Sequence, residues 1–181
     1  AKGAQFADAP VVKSKPAAIA GKLGIYAGCD EELYPVIKPI LEYMGENIIY
    51  MGKNGKGLVM KVCHNTLAAE IQNGVNETLN LAVKYGVSVE DFAKAVNMGG
   101  AQNFYLDGQW KNLQDENYTT AFSLENEHKD LGICQRLASE VEFNMPGLEN
   151  AKRVYNIGMD AGIGKEDWRA TYKIVRGDYD A

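Results

Sequence analysis

A lysine and an asparagine stand four residues apart inside a long segment with helical apolar spacing. Lys61 and Asn65 are one helical turn apart, so their side chains share a face of the predicted helix. Leu58 and Val62, a turn away, are apolar. A lysine beside an apolar stripe is partly desolvated, which suits it to proton transfer, and the asparagine can hold a substrate oxygen. The plainer interpretation is a solvated lysine and a solvated asparagine.

Three further polar stretches are candidates for binding. Lys13-Ser14-Lys15 follows the first strand pattern, and its charge, hydroxyl and backbone donors can bind an anion. Residues 52–57 form a glycine-rich turn before a helix, but they lack the spacing of a phosphate-binding loop. Lys129 and Asp130 either serve a site or belong to a solvated helix face. A generic loop and a simple turn are the plainer interpretations of the first two stretches.

The cysteines and histidines do not predict a metal site. Neither His64 nor His128 has a second histidine or a cysteine at metal-ligand spacing, so we predict no zinc. Cys29, Cys63 and Cys134 are odd in number and far apart, which argues against a disulfide framework. A reducing compartment, the cytoplasm, is therefore expected.

Composition excludes several classes of protein. The 181 residues carry 19 Lys and Arg against 24 Asp and Glu, and 46% are hydrophobic. Disorder is not expected at this apolar content and modest net charge. The acidic excess and the lack of a basic stripe argue against nucleic acid, and no apolar run is long enough for a membrane span. A protein that binds neither nucleic acid nor membrane is predicted.

The apolar spacing changes character near residue 57. Strands are predicted at residues 5–12, 22–28 and 47–52, with a helix after Asp30. A long helix follows over residues 58–85, and it exceeds the usual length in globular proteins. Further helices are predicted to begin at Ser88 and Met145-Pro146 and to cover residues 103–113, 124–141 and 166–175. The prediction is a mostly α chain in which a short α/β piece precedes an all-helical domain.

The order of the motifs resembles the β-hydroxyacid dehydrogenases, the group of 3-hydroxyisobutyrate dehydrogenase. The resemblance covers essentially the whole chain, and the ordered set is much more specific than any one piece. It is carried by Asp8-Ala9-Pro10-Val11, the strand at 23–28, Pro39-Ile40-Leu41, Met44-Gly45, residues 52–57, Lys61 with Asn65, residues 122–131 with Lys129-Asp130-Leu131, Met145-Pro146, and Gly164 with Asp167-Trp168.

The resemblance implies a fold and a division into domains. Residues 1–52 would be the C-terminal remnant of the NAD(P)-binding domain, the last strands of a Rossmann-type α/β sheet. Residues 53–181 would be an all-helical domain like the C-terminal domain of 6-phosphogluconate dehydrogenase, used for substrate binding and dimerisation. The family's glycine-rich fingerprint for the dinucleotide is absent from the sequence. The chain would thus be a C-terminal fragment, inactive alone, of an enzyme that uses NAD or NADP.

The same resemblance implies roles for individual residues. Lys61 would be the catalytic proton donor in reduction and the proton acceptor in oxidation, and Asn65 would orient the substrate. Lys129 would lie near the cofactor. Lys13 and Ser14 would bind the anionic group of the substrate, and His64 would be a further substrate-binding residue. The implied reaction is hydride transfer between NAD(P) and a small hydroxyacid or aldehyde acid.

Two departures from the family pattern leave the substrate open. The common Ser-Gly-Gly loop reads Val12-Lys13-Ser14 here, and His64 stands where another asparagine is usual. A charged Lys13 suits a sulfonate or a second carboxylate, as in sulfolactaldehyde reductases. The alternatives are therefore a reductase of a sulfonated or dicarboxylic aldehyde acid, or a non-catalytic helical oligomerisation module. The long helix also predicts a homo-oligomer, a dimer or a tetramer.

Overall fold

The computed structural model describes residues 3–179 of the chain. They form two compact units, and the boundary between the units in the sequence lies between His64 and Asn65. The elements, in chain order, are β1 (Val11–Val12), α1 (Ser14–Ile19), β2 (Leu23–Gly28), α2 (Tyr34–Leu41), β3 (Gly45–Gly52), α3 (Lys56–Lys84), α4 (Val89–Val96), α5 (Phe104–Gln114), α6 (Leu124–Glu140), α7 (Pro146–Asp160), a 3-10 turn (Trp168–Ala170) and α8 (Thr171–Arg176).

The first unit is built on a three-stranded sheet in the order β1-β2-β3. β1 is antiparallel to β2, with Val11 opposite Ile25, whereas β2 is parallel to β3, with Ile25 opposite Ile48. Ile25 and Ala27 are fully buried, as expected for the central strand of a small sheet. The predicted second and third strands are confirmed, and α2 is the crossover that connects them.

The start of the chain differs from the strand predicted at residues 5–12. Only Val11 and Val12 form a strand, and Asp8 adds an isolated antiparallel bridge to Gly28. Pro10 lies between them and has no N–H to donate, which limits continuous pairing. Residues 14–19 form α1, a helix that the sequence did not predict. Pro16 lies in its first turn, where the missing N–H would have no partner within the helix.

The helical unit follows the predicted pattern closely. The long helix predicted at 58–85 is α3, with 29 residues. The Ser88 side chain accepts a hydrogen bond from the Asp91 N–H at the start of α4, as predicted from the sequence. Asn103 caps α5 in the same way by accepting from the Leu106 N–H. The mostly α fold class is confirmed.

A buried glutamine on α3 ties the middle of that helix to two other elements. The Tyr155 hydroxyl on α7 donates to Gln72 Oε1 at 2.5 Å, and Gln72 Nε2 donates to the Trp168 carbonyl at 3.1 Å. Gln72 and Tyr155 are both fully buried. Burial strongly raises the pKa of Tyr155, so its hydroxyl keeps its proton and can donate. These hydrogen bonds satisfy polar groups in a core that otherwise consists largely of leucine and tyrosine side chains.

Within residues 3–179, none of the helices combines the length and the apolar character that crossing a bilayer requires.

Candidate active site

The N-terminus of α3, which carries Lys61, is fixed against β2 by a buried carboxylate. Asp8 is 5% exposed, and its two oxygens accept hydrogen bonds from the Gly55 N–H at 2.6 Å and the Leu58 N–H at 2.9 Å. A Cβ at Gly57 would lie 2.5 Å from the Tyr26 carbonyl oxygen and 2.7 Å from an Asp8 oxygen. Only glycine permits this close approach. The first turn of α3 is therefore held directly against β2.

Lys61 lies five residues after the first residue of α3 and is half-buried. The cap at Asp8 therefore holds the backbone that carries Lys61. An acidic side chain beside the first N–H groups also complements the positive end of the helix dipole. This local order places a lysine on a rigid element within the first unit, which is what proton transfer at a defined position requires.

The predicted anion-binding loop has an unusual backbone. Lys13 has φ +80° and Ser14 has φ +59°, so two successive non-glycine residues are left-handed. Each such residue costs about 1–2 kcal/mol relative to a right-handed conformation. Both residues are exposed, Lys13 just before α1 and Ser14 as its first residue. Backbone strain of this kind concentrates at functional sites.

His64 lies three residues after Lys61 on α3 and contacts β2. The Tyr26 hydroxyl is 3.2 Å from His64 Nδ1, and the two ring centroids are 6.1 Å apart. Desolvation lowers the pKa of His64, and the positive charge of Lys61 lowers it further. The imidazole is therefore neutral at pH 7.

A second group of polar residues lies within the helical unit. Asn65 is 5% exposed, and its Nδ2 donates to Asp130 Oδ2 at 2.7 Å. Asp130 Oδ1 forms an ion pair with Lys129 Nζ at 3.1 Å, and the Lys129 side chain is 62% exposed. A carboxylate only accepts, so it fixes which end of the Asn65 amide is the donor. The predicted residues Asn65 and Lys129 are thus joined through one carboxylate.

Sequence reasoning left Asp130 undecided and gave no role to Tyr26. Asp130 is adjacent to Lys129, which was the one available signal, but its contact with Asn65 spans 65 positions. The contact between Tyr26 and His64 spans 38 positions and joins a strand to a helix. Neither pairing follows from spacing.

Among residues 3–179 there is no group of three or more histidines, cysteines and acidic residues able to hold a metal ion.

Two family models match the chain. Residues 55–175 match the family model described as NAD-binding of NADP-dependent 3-hydroxyisobutyrate dehydrogenase. Residues 1–52 match the model of the NAD binding domain of 6-phosphogluconate dehydrogenase.

Individual relatives belong to the same group of dehydrogenases. A mitochondrial 3-hydroxyisobutyrate dehydrogenase of Drosophila melanogaster is 32% identical over 97% of the chain and 56% of its own length. The 2-(hydroxymethyl)glutarate dehydrogenase of Eubacterium barkeri is 28% identical over 96% of the chain and 58% of its own length. The crystal structure of 3-hydroxyisobutyrate dehydrogenase from Salmonella typhimurium superposes with a TM-score of 0.84 at 25% identity, over 94% of this chain and 60% of that one.

The fold is therefore that of a mostly α domain preceded by strands of a Rossmann-type sheet, as predicted. The chain belongs to the β-hydroxyacid dehydrogenase family. It spans a little under three-fifths of the length of the curated relatives described above.

Proposed function

We propose that this chain is the C-terminal part of an NAD(P)-dependent oxidoreductase that interconverts a small β-hydroxyacid and its semialdehyde. The observation that carries the proposal is the pair Lys61 and Asn65, four residues apart on α3 in the segment that matches the family model. The cap by Asp8 and the hydrogen bond to Asp130 support it, because each fixes one member of the pair.

In oxidation, the neutral amine of Lys61 takes the hydroxyl proton of the substrate as the hydride leaves its carbon. A nicotinamide cofactor, when bound, would supply the acceptor for that hydride. In reduction, the ammonium of Lys61 stabilises the developing alkoxide and returns the proton. No metal is needed, because Lys61 provides both the charge and the proton.

Asn65 orients the substrate hydroxyl or the lysine ammonium through the oxygen of its amide. Its nitrogen is committed to Asp130, so Oδ1 is the end that accepts a hydrogen bond from a hydroxyl or an ammonium. The exposed ammonium of Lys129, on the other side of Asp130, fits a role near the anionic cofactor. Residues 1–52 would belong to the nucleotide-binding domain and residues 53–181 to the helical domain, in a cytoplasmic enzyme.

Hydride transfer in the full-length enzyme tests the proposal. It would be supplied with NAD or NADP and a panel of hydroxyacids, and reduced nicotinamide would be followed by absorbance. Turnover of at least one hydroxyacid supports the proposal. No turnover with any of them, despite cofactor binding, would favour the non-catalytic oligomerisation module instead.

The loop around Lys13 favours a second candidate, an enzyme of the same class whose substrate carries two anionic groups. Lys13 and Ser14 keep strained left-handed backbones where glycine would be relaxed, which points to a use for their side chains. The relative from Eubacterium barkeri is named for a substituted glutarate, a dicarboxylate. A sulfonated aldehyde acid presents a similar pair of charges.

We expect Lys13→Gly to raise KM for a dicarboxylic or sulfonated substrate about 10-fold, which corresponds to about 1.4 kcal/mol. The KM for a monocarboxylate should change about 2-fold or less, because the substitution removes one charge contact and relaxes the backbone. Steady-state kinetics of the full-length enzyme measure both. Lys22→Ala, which removes another exposed lysine of the first unit, is the matched control. Equal changes in KM for the two substrate classes would contradict the second candidate.

Self-association is proposed from one face of α3. Leu67 and Leu81 are each 58% exposed, and Tyr85 just beyond the helix is 84% exposed. These positions are separated by close to whole turns, so the three apolar side chains lie on one side of α3 in the second unit. Sedimentation at tens of micromolar should give a dimer or a larger species, and Leu67→Glu/Leu81→Glu should reduce the mass. A wild-type monomer would contradict the proposal.

A further inference from the structure

The contact between Tyr26 and His64 joins a rigid strand to the helix that carries Lys61. Tyr26 lies in β2, where its N–H donates to the Pro10 carbonyl at 3.0 Å and its backbone pairs with Ile49 of β3. Pairing on both sides fixes the strand, so the phenol reaches α3 from a defined place. At 3.2 Å, its oxygen is within hydrogen-bond distance of His64 Nδ1.

The protonation states of the two groups permit the phenol to donate to Nδ1. Burial raises the pKa of Tyr26, so the phenol keeps its proton at pH 7. His64 is neutral, for the reasons given above. A neutral imidazole has one accepting nitrogen and one N–H, and a phenol that donates to Nδ1 makes Nδ1 the acceptor. The proton of the ring then resides on Nε2.

We propose that Tyr26 is a positioning residue that holds His64 in the Nε2–H tautomer, so that Nε2 donates a hydrogen bond to a substrate oxygen beside Lys61. The inference rests on the proposed function for its substrate, but the tautomer itself does not. His64 is three residues from Lys61, and side chains at this spacing are neighbours on a helix. Neutral His64 thus adds a fixed donor next to the proton-transferring group.

This arrangement differs from what an asparagine would provide at position 64. An amide can offer either its nitrogen or its oxygen, depending on how it is rotated. The imidazole held by Tyr26 offers only an N–H, so it selects a substrate with an accepting oxygen at that point. A carboxylate, a sulfonate and a carbonyl oxygen all satisfy that requirement.

The tautomer is measured on this chain, without any assay of activity. The chain has two histidines, so His128→Asn assigns the signals of His64 in long-range proton–nitrogen spectra of the imidazole rings. At a pH where both rings are neutral, wild-type His64 should be held in the Nε2–H form. Tyr26→Phe should increase the fraction of the Nδ1–H form. An Nδ1–H wild type, or no change in Tyr26→Phe, would overturn the assignment.

A double-mutant cycle in the full-length enzyme tests the role of the pair. We expect Tyr26→Phe and His64→Asn each to raise KM about 3- to 10-fold with little change in kcat, which is about 0.7–1.4 kcal/mol. Because Tyr26 acts through His64, the double variant should be no worse than His64→Asn alone. Additive effects on KM would overturn the inference. Circular dichroism melting of Tyr26→Phe separates a loss of folding from a loss of positioning.

The experiments distinguish a failure of the proposed function from a failure of the role proposed for Tyr26. If the wild-type enzyme oxidises none of the hydroxyacids, the proposed function is wrong. The tautomer of His64 is still decided by the spectra of this chain, which do not depend on turnover. If turnover is normal and Tyr26→Phe behaves as the wild type, only the role of Tyr26 is wrong. His128→Asn is the matched kinetic control, because His128 pairs with Asn156 on the helical unit.

Discussion

Lys61→Met should lower kcat of the full-length enzyme by about 10²- to 10⁴-fold, the usual contribution of a positioned general acid or base. Methionine fills a similar volume but cannot carry a proton or a charge. Because Lys61 is proposed to act in the transition state, kcat and kcat/KM should fall together. Cofactor affinity should be retained, because Lys61 is proposed to act on the hydroxyl of the substrate and not to bind the nucleotide.

Two controls make the Lys61 result specific. Lys84→Met removes an exposed lysine from the last turn of the same helix, and kcat should stay within about 2-fold of the wild type. Lys61→Arg keeps the positive charge but is not deprotonated near neutral pH, so it should lose most of the oxidation rate. Turnover by Lys61→Met within a factor of two of the wild type would contradict the catalytic role.

Asp167→Ala should lower the free energy of unfolding of the chain by about 3–5 kcal/mol. Asp167 is 1% exposed, and it accepts hydrogen bonds from Arg169 Nε at 2.6 Å and from the Ala121 N–H at 2.8 Å. Arg169 is itself 6% exposed and also donates to the Thr119 carbonyl. Removing the carboxylate leaves a buried guanidinium without its counter-charge. An uncompensated buried charge is strongly destabilising.

Urea unfolding followed by circular dichroism measures the effect on stability. Glu90→Ala, which breaks the exposed pair with Lys94, is the matched control and should cost less than about 1 kcal/mol. Asp167→Ala/Arg169→Met should recover part of the loss, since it also removes the stranded charge. A loss below about 1 kcal/mol for Asp167→Ala would show that Arg169 is satisfied by its other acceptors.

The features that the sequence predicted well are local ones. The long helix α3 follows from apolar spacing over many turns, and the cap at Ser88 follows from one side chain and the N–H three residues on. The neighbourhood of Lys61 and Asn65 on α3 also follows from spacing alone. Each of these depends on residues within a few turns of one another, which a sequence pattern reports directly.

The features that the sequence did not predict depend on distant contacts. Asp8 caps a helix that begins 48 residues later, and Asp130 meets Asn65 across 65 positions. The left-handed backbones of Lys13 and Ser14 are equally hidden, because these residue types rarely adopt that conformation. Each of the three concerns a candidate site residue or the element that carries it.

The enzyme that contains this chain is proposed to move a hydride from a hydroxyacid to NAD or NADP. The most direct measurement uses the hydroxyacid of the panel that the enzyme oxidises fastest, deuterated at the carbon that bears the hydroxyl, with mass spectrometry of the reduced cofactor. We predict one deuterium in the nicotinamide ring for the wild type and almost none formed by Lys61→Met in the same time. Substrate oxidation that leaves the cofactor free of deuterium would contradict the account.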